Sequence, residues 1–241
     1  VANGAALAVA SALILMPPSW GALGLYGLSV AAFSGGVLSC MGIYAFARYS
    51  GASVASLLLA GLAINALCVA GIGFLTYVSD DQQLRNLSFW TLGSLGGAMW
   101  SQVLVCCSVI LPVLFLLLRS ARQLDLLQLG EQNAAYLGLC PQRLQRRIVF
   151  LAALLVGSCV AVSGVIGFVG LLVPHLVRLL IGPQHRWLIP GSALMGAVLL
   201  LAADTLARTV VAPAELPVGV ITSLLGAPYF LYMLAQQGRR I

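Results

Sequence analysis

The stretch IVFLAALLVGSCVAVSGVIGFVGLLVPHLVRLLIG, residues 148–182, decides the fold. It is apolar almost throughout; His175 and Arg178 are its only strongly polar side chains. Run as one straight helix, its 35 residues would span about 52 Å. A bilayer's hydrocarbon core is about 30 Å thick, so this length is too great for one crossing and short for two.

The arginines choose between them. Positive charge stays on the cytoplasmic side during insertion. Residues 119–147 hold five of the 12 arginines, with Asp125 and Glu131, so this loop faces the cytosol. Counting crossings backwards puts Arg85 outside and Arg48 inside. If 148–182 crosses once, seven arginines fall inside and five outside. If it crosses twice, Arg178, Arg186, Arg239 and Arg240 join the inner side and Arg208 moves out, for ten in and two out. Two crossings are therefore predicted, with a broken or shortened helix.

SGVIGFVGLLVPH supplies the break: Gly164, Gly167 and Gly170 are small, and Pro174 removes a backbone donor. Irregular backbone at membrane depth is tolerated only where protein or a water-filled cavity covers it. The segment is thus expected to pack centrally or to border a pathway. The other reading is that its glycines serve close helix packing alone.

The rest of the chain agrees with a membrane interior. Of 241 residues, 61% are hydrophobic and 7% charged, against about 25% charged in an average soluble domain. No soluble fold has enough interior for that surface, so lipid must cover part of it. Residues 1–47, 49–79, 86–118 and 216–238 contain no Asp, Glu, Lys, Arg or His. Helices are predicted over 1–15, 21–47, 52–78, 97–118, 146–167, 168–182, 188–211 and 217–237. Pro17-Pro18 breaks the first pair, and a polar loop is expected from Ser79 to Arg85. Residues 86–96, with Phe89 and Trp90, suit a short helix at the outer interface or lining a vestibule. The start at Val1, without Met and inside an apolar helix, reads as a fragment whose N-terminal part is missing.

The net charge of +6 rests on arginine alone, without lysine. The arginines stand at the ends of apolar runs and form no aromatic-interleaved patch, which excludes a nucleic-acid partner. The six cysteines lack CxxC spacing and read as small hydrophobes. His175 and His185 are the only histidines, and neither sits in a metal-ligand pattern. No G-x-x-x-x-G-K-[ST] is present, so any ATP must be handled by another subunit.

Two constellations remain. LGEQNAAYLG, residues 129–138, reads as a short amphipathic helix flanked by glycines. Leu129, Ala134 and Leu137 can share one side, and Glu131 lies in the first turn, where a carboxylate is favoured. Such a helix suits docking into a cleft on a cytosolic partner, or else serves as an interfacial connector. Asp204 and Arg208 are four apart on one helix, the order that suits an ion pair. No acid lies at mid-membrane to form a proton relay, which argues against an ion-coupled carrier.

SGVIGFVGLLVPHLVRLLIGPQHRWLIPGSALMGAVLLLAADTLAR, then APAELPVGVITSLLGAPYFLYML, resembles the FecCD-type iron-chelate and cobalamin permeases of bacterial ABC importers. LLLAG at 57–61, FWTLGSLGG at 89–97 and LGEQNAAYLG at 129–138 are similar to that family in the same order. The resemblance implies an all-α polytopic membrane protein with the type II ABC importer permease fold. Residues 1–241 would be one permease domain carrying about eight of ten transmembrane helices, without the first two, and 119–147 its cytoplasmic coupling loop.

It further implies a homodimer with a second permease copy, two cytosolic ATP-binding cassette subunits, a periplasmic substrate-binding protein, and no cofactor or catalytic residues in this chain. Coupling to the ATPase falls on Leu129, Gly130, Glu131, Ala134 and Gly138. The cytoplasmic gate falls on Ser53, Val54 and Ala55, and docking of the binding protein on Arg208. VPHLVR, GPQHRW and VAPAELPVG are nearest to haem and ferric-siderophore members, haem first. Cobalamin import by the same mechanism is the alternative, with an ion-coupled secondary carrier or a membrane scaffold further off.

Overall fold

The computed structural model describes residues 1–15, 21–49, 54–210 and 216–237, with backbone alone at 15, 21–26, 48, 54 and 233–237. The described residues form helices and connecting turns. In chain order they are α1 (Ala2–Leu15), α2 (Gly21–Tyr49), α3 (Val54–Val78), α4 (Asp81–Leu92), α5 (Trp100–Arg119), α6 (Ala121–Leu127), α7 (Glu131–Tyr136), α8 (Pro141–Ser163), α9 (Val169–Ile181), α10 (His185–Thr209) and α11 (Val218–Gln237). Five stretches, in α2, α3, α5, α8 and α10, are long and apolar enough to cross a membrane. Stretches of α1, α9 and α11 are apolar and shorter.

Side-chain volume sets the packing. Without a hydrophobic drive between helices in lipid, close approach depends on small residues. Ala5, Val9, Ala32 and Val160 form a buried cluster joining α1, α2 and α8, and Gly36 lies directly over Gly157. Val173, Val177 and Leu188 join α9 to α10. Ala203, Ala207 and Val218 join α10 to α11. Outside these seams large apolar side chains stand exposed, such as Leu58, Leu62 and Phe74 on α3 and Leu194, Val198 and Leu201 on α10. An apolar surface of this extent needs lipid or a protein partner.

The stretch 148–182 forms two helices that double back, as the two-crossing reading requires. α8 ends at Ser163, and Gly164 turns the chain at φ 68°, ψ −164°, a region essentially closed to other residues. Residues 164–168 are irregular, and α9 runs back from Val169. The freed backbone groups are covered by protein, as membrane depth requires. Val165 N–H donates to the Trp90 carbonyl at 3.2 Å, and Ser94 N–H to the Ser163 carbonyl at 2.9 Å. The break is therefore stitched to the end of α4. At the opposite end, His185 beside α6 closes the return and puts both flanks of the stretch on one side.

Several expectations are corrected. Pro174 does not make the break; it lies inside α9. Phe168 makes it together with Gly164. It holds φ 64°, the sole positive φ of a non-glycine among the described residues, and Val169 N–H bonds back to the Gly167 carbonyl at 2.8 Å. This is a strained γ-turn. The polar segment 79–85 is largely helix: Gln83 N–H donates to Asp80 Oδ1 at 2.7 Å, and Asp80 N–H to Gln83 Oε1 at 3.2 Å. This capping box starts α4 at Asp81. α8 begins five residues before its predicted start, at Pro141, where proline's missing N–H costs nothing. Arg143 thus joins Arg146 and Arg147 in the helix.

Candidate functional site

At the end predicted to be cytosolic, α5 passes into α6 through Ser120, which is buried. A tight turn then leads to α7. Gly130 enters α7 at φ 99°, ψ 150°, a conformation that glycine alone adopts readily. Gly138 leaves it at φ 82°. The two glycines predicted to bracket a short helix therefore do so.

The helix has one anchored side and one open side, though not as expected. Ala134 is 0% exposed, while Leu129, Tyr136 and Leu137 are 58%, 88% and 61% exposed. Ala134 therefore does not share the outer side with Leu129 and Leu137. α7 packs against α6 and α8, and a six-residue helix needs such an anchor because alone it is not stable. Glu131 and Gln132 are exposed in its first turn. Beside it, a cavity of about 410 Å³ lies between α6, the turn at Leu137–Leu139 and the start of α8, with Arg143 and Arg147 on its wall.

α6 is fixed separately. Asp125 Oδ1 accepts the backbone N–H of His185 at 2.8 Å and bonds His185 Nδ1 at 2.7 Å. A carboxylate only accepts, so Nδ1 carries the proton. Gln128 Nε2 donates to the Pro183 carbonyl at 3.3 Å. Burial pushes the Asp125 carboxyl up. The His185 backbone N–H, the ring N–H and attraction to the imidazole outweigh it, and hold the carboxyl below its ordinary value. Because the folded value is lowered, the carboxylate's contribution is complete above the ordinary carboxylate range. It is lost only as pH falls through the lowered value. Sequence inspection did not single out Asp125 or His185, which lie 60 residues apart.

At the other end of α10, Arg208 Nε donates to Asp204 Oδ2 at 2.9 Å and Nη2 to Oδ1 at 3.4 Å. The predicted i,i+4 pair is formed, with Arg208 the more exposed partner. Of the gate positions, Ser53 lies outside the described residues. Val54 opens α3, and Ala55 in its first turn is exposed. His175 lies within α9.

Among the described residues eight helices are apolar, two of them, α8 and α9, meeting at the break, and the short helix α7 lies beyond the end of α5, the arrangement of a multi-pass membrane protein. Residues 1–236 match the FecCD transport family, and the chain belongs to that family. It is 55% identical over 240 residues to the hemin transport system permease protein HmuU of Yersinia pestis, covering 98% of this chain and 71% of that one. It is 41% identical to the vitamin B12 import system permease protein BtuC of Vibrio vulnificus, over 97% of this chain and 70% of that one. Identity to the Fe(3+)-citrate import system permease protein YfmE of Bacillus subtilis is 37%, over 100% and 71%. A solved metal-chelate type ABC transporter in an inward-facing conformation superposes with a TM-score of 0.87 at 32% identity, over 98% of this chain and 73% of that one. The fold is thus that of an ABC importer permease, and the chain is a permease subunit of that kind.

Proposed function

We propose that this permease moves an iron chelate inward, haem first and ferric siderophore second. It would work as a homodimer driven by two ATP-binding cassette subunits and loaded by a periplasmic binding protein. The observation that carries the reading is α7: a short helix held by Ala134 on one side, presenting Leu129, Tyr136 and Leu137 on the other. A permease without a nucleotide loop must receive force through a contact of this kind. The cavity beside Arg143 gives a partner's side chain a place to seat. The 55% identity to a hemin permease supports haem. Identity to vitamin B12 permeases supports cobalamin as the alternative to an iron chelate.

The test is uptake into proteoliposomes containing the assembled transporter, its ATPase and its binding protein, with haem, a ferric siderophore and cobalamin compared. ATP-dependent uptake of haem alone is expected. ATP-dependent uptake of cobalamin without haem would replace the substrate assignment, and uptake without ATP would overturn the importer reading.

Docking above the membrane is assigned to Arg208. Its guanidinium is bonded to Asp204 and partly exposed, which supports the reading. Gating is assigned to Ser53, Val54 and Ala55 at the entry of α3. Arg208→Glu should weaken binding-protein association by about ten-fold or more, because it replaces attraction by repulsion at the rim. The remaining association should depend less on salt, as read by titration at two ionic strengths. Unchanged association with a less stable permease would show that Arg208 serves Asp204 alone.

A further inference from the structure

α10 begins without a cap of its own. The first N–H groups of a helix have no partner within it, and the residue before α10, Gln184, makes no side-chain capping bond. The cap comes from another helix. Asp125, on α6, accepts the His185 backbone N–H at 2.8 Å and binds the His185 ring at 2.7 Å. A carboxylate at this position also meets the positive end of the helix dipole. Gln128, one turn further along the chain, holds the Pro183 carbonyl at 3.3 Å. Two side chains, Asp125 on α6 and Gln128 at its C-cap, thus grip the turn that starts α10.

What they connect gives the grip its meaning. α6 leads through a two-residue turn and Gly130 into α7. α10 contains 25 residues, about 37 Å of helix, and carries Asp204 and Arg208 at its far end. It packs on α9 through Val173, Val177 and Leu188, and on α11 through Ala203, Ala207 and Val218. α10 touches the cytosolic element through α6 and the broken-helix unit through α9.

We infer that Asp125 and His185 form a clamp that makes α6 and α10 one mechanical unit, so that displacement at α7 is delivered along α10 to the periplasmic end. The inference rests on the reading of α7 as the ATPase contact. Asp125 and His185 are positioning residues: they touch neither ATP nor the transported chelate. The clamp transmits because charge-assisted bonds to a fixed helix terminus allow little slack.

Three variants of the assembled transporter, in a cysteine-free background, test it. Asp125→Asn keeps an acceptor for the backbone N–H and removes the charge. It should leave ATPase association and basal hydrolysis intact. Transport per ATP hydrolysed, and the stimulation of hydrolysis by the binding protein, should both fall roughly five-fold or more, the usual scale of a site-to-site coupling. His185→Asn should do the same, and the double variant should be no worse than either single one. D125C/H185C bridged by a short bismaleimide should regain most of the lost transport per ATP, since a covalent link replaces the clamp.

Asp125→Asn with normal transport per ATP would overturn the inference. So would a bridged D125C/H185C that stays uncoupled while folded and bound to its ATPase. Failure of the α7 reading shows elsewhere: Tyr136→Arg on the open side of α7 would leave the ATPase bound and fully coupled.

Discussion

Gly164→Val is expected to abolish the folded permease, with no recoverable monodisperse protein in detergent, while Gly170→Ala is recovered at the wild-type level. Both glycines lie in the same apparently flexible run, but their surroundings differ. Gly164 sits at φ 68°, ψ −164°, where a side chain costs about 1–3 kcal/mol in backbone strain. A Cβ there would collide with the Trp90 carbonyl oxygen and lie 3.2 Å from Gly93 Cα. That oxygen accepts Val165 N–H, and the neighbouring Ser94 N–H is held by the Ser163 carbonyl. Displacing α4 by a side chain's width opens both bonds at membrane depth, where each unsatisfied group costs several kcal/mol. Together these exceed most of a domain's stability, which is about 5–15 kcal/mol.

Gly170 has nothing within 4 Å of its would-be Cβ and lies in α9, so alanine there should be neutral or slightly favourable. A Cβ on Gly167 would meet only Ser223 Oγ, at 3.7 Å, an ordinary contact. Thermal unfolding followed by size exclusion measures all three. Equal loss at Gly164 and Gly170 would show that the run serves helix packing and not the break.

The same run shows what the sequence made legible. The doubling back of 148–182 could be read because charge is scarce: twelve arginines at the ends of apolar runs leave two crossings much better than one. The break at 164–168 was legible because an apolar segment of awkward length must be interrupted somewhere, and glycine marks where. Its mechanics were not. Pro174 is the stronger local signal, yet a proline early in a short helix sacrifices only one bond and α9 tolerates it. Phe168 carries no signal for a positive φ. Its side chain lies against α11, where Gly226 leaves room for it.

The bracketing glycines of α7 could be read from sequence because turn geometry is local. The direction in which Ala134 points could not, because it depends on where α6 and α8 lie. The Asp125–His185 contact joins residues 60 positions apart, and only the two-crossing return of 148–182 brings them together. The capping box at Asp80 and Gln83 was the one local signal present in the sequence and overlooked, masked by the polarity of SDDQQLR.

Ala134→Arg is expected to disable coupling by unseating α7, and not by presenting an arginine to the ATPase. Ala134 is 0% exposed and α7 leans on α6 and α8 at that point. Forcing a long cation into a filled site costs roughly 3 kcal/mol or more from overpacking and desolvation together. A helix of six residues has no reserve of its own against that cost, because isolated helices shorter than about 12–15 residues are marginal in water. α7 should therefore detach and unwind while the membrane helices, of which α8 is its main neighbour, stay assembled.

Limited proteolysis should show the consequence as new cleavage between Leu129 and Gly138. ATPase association should fall by at least about ten-fold, a change of about 1.4 kcal/mol. Ala134→Ser, which adds one small atom, should leave both readouts near wild type. Leu137→Glu alters the open side alone, where a surface change usually moves stability by less than about 0.5 kcal/mol. It should lower association without exposing the segment to protease. If Ala134→Arg stays protease-resistant and still loses the ATPase, the arginine itself reaches the partner, and Ala134 belongs to the contact surface after all. If it keeps the ATPase and transports at the wild-type rate, α7 is not the coupling element.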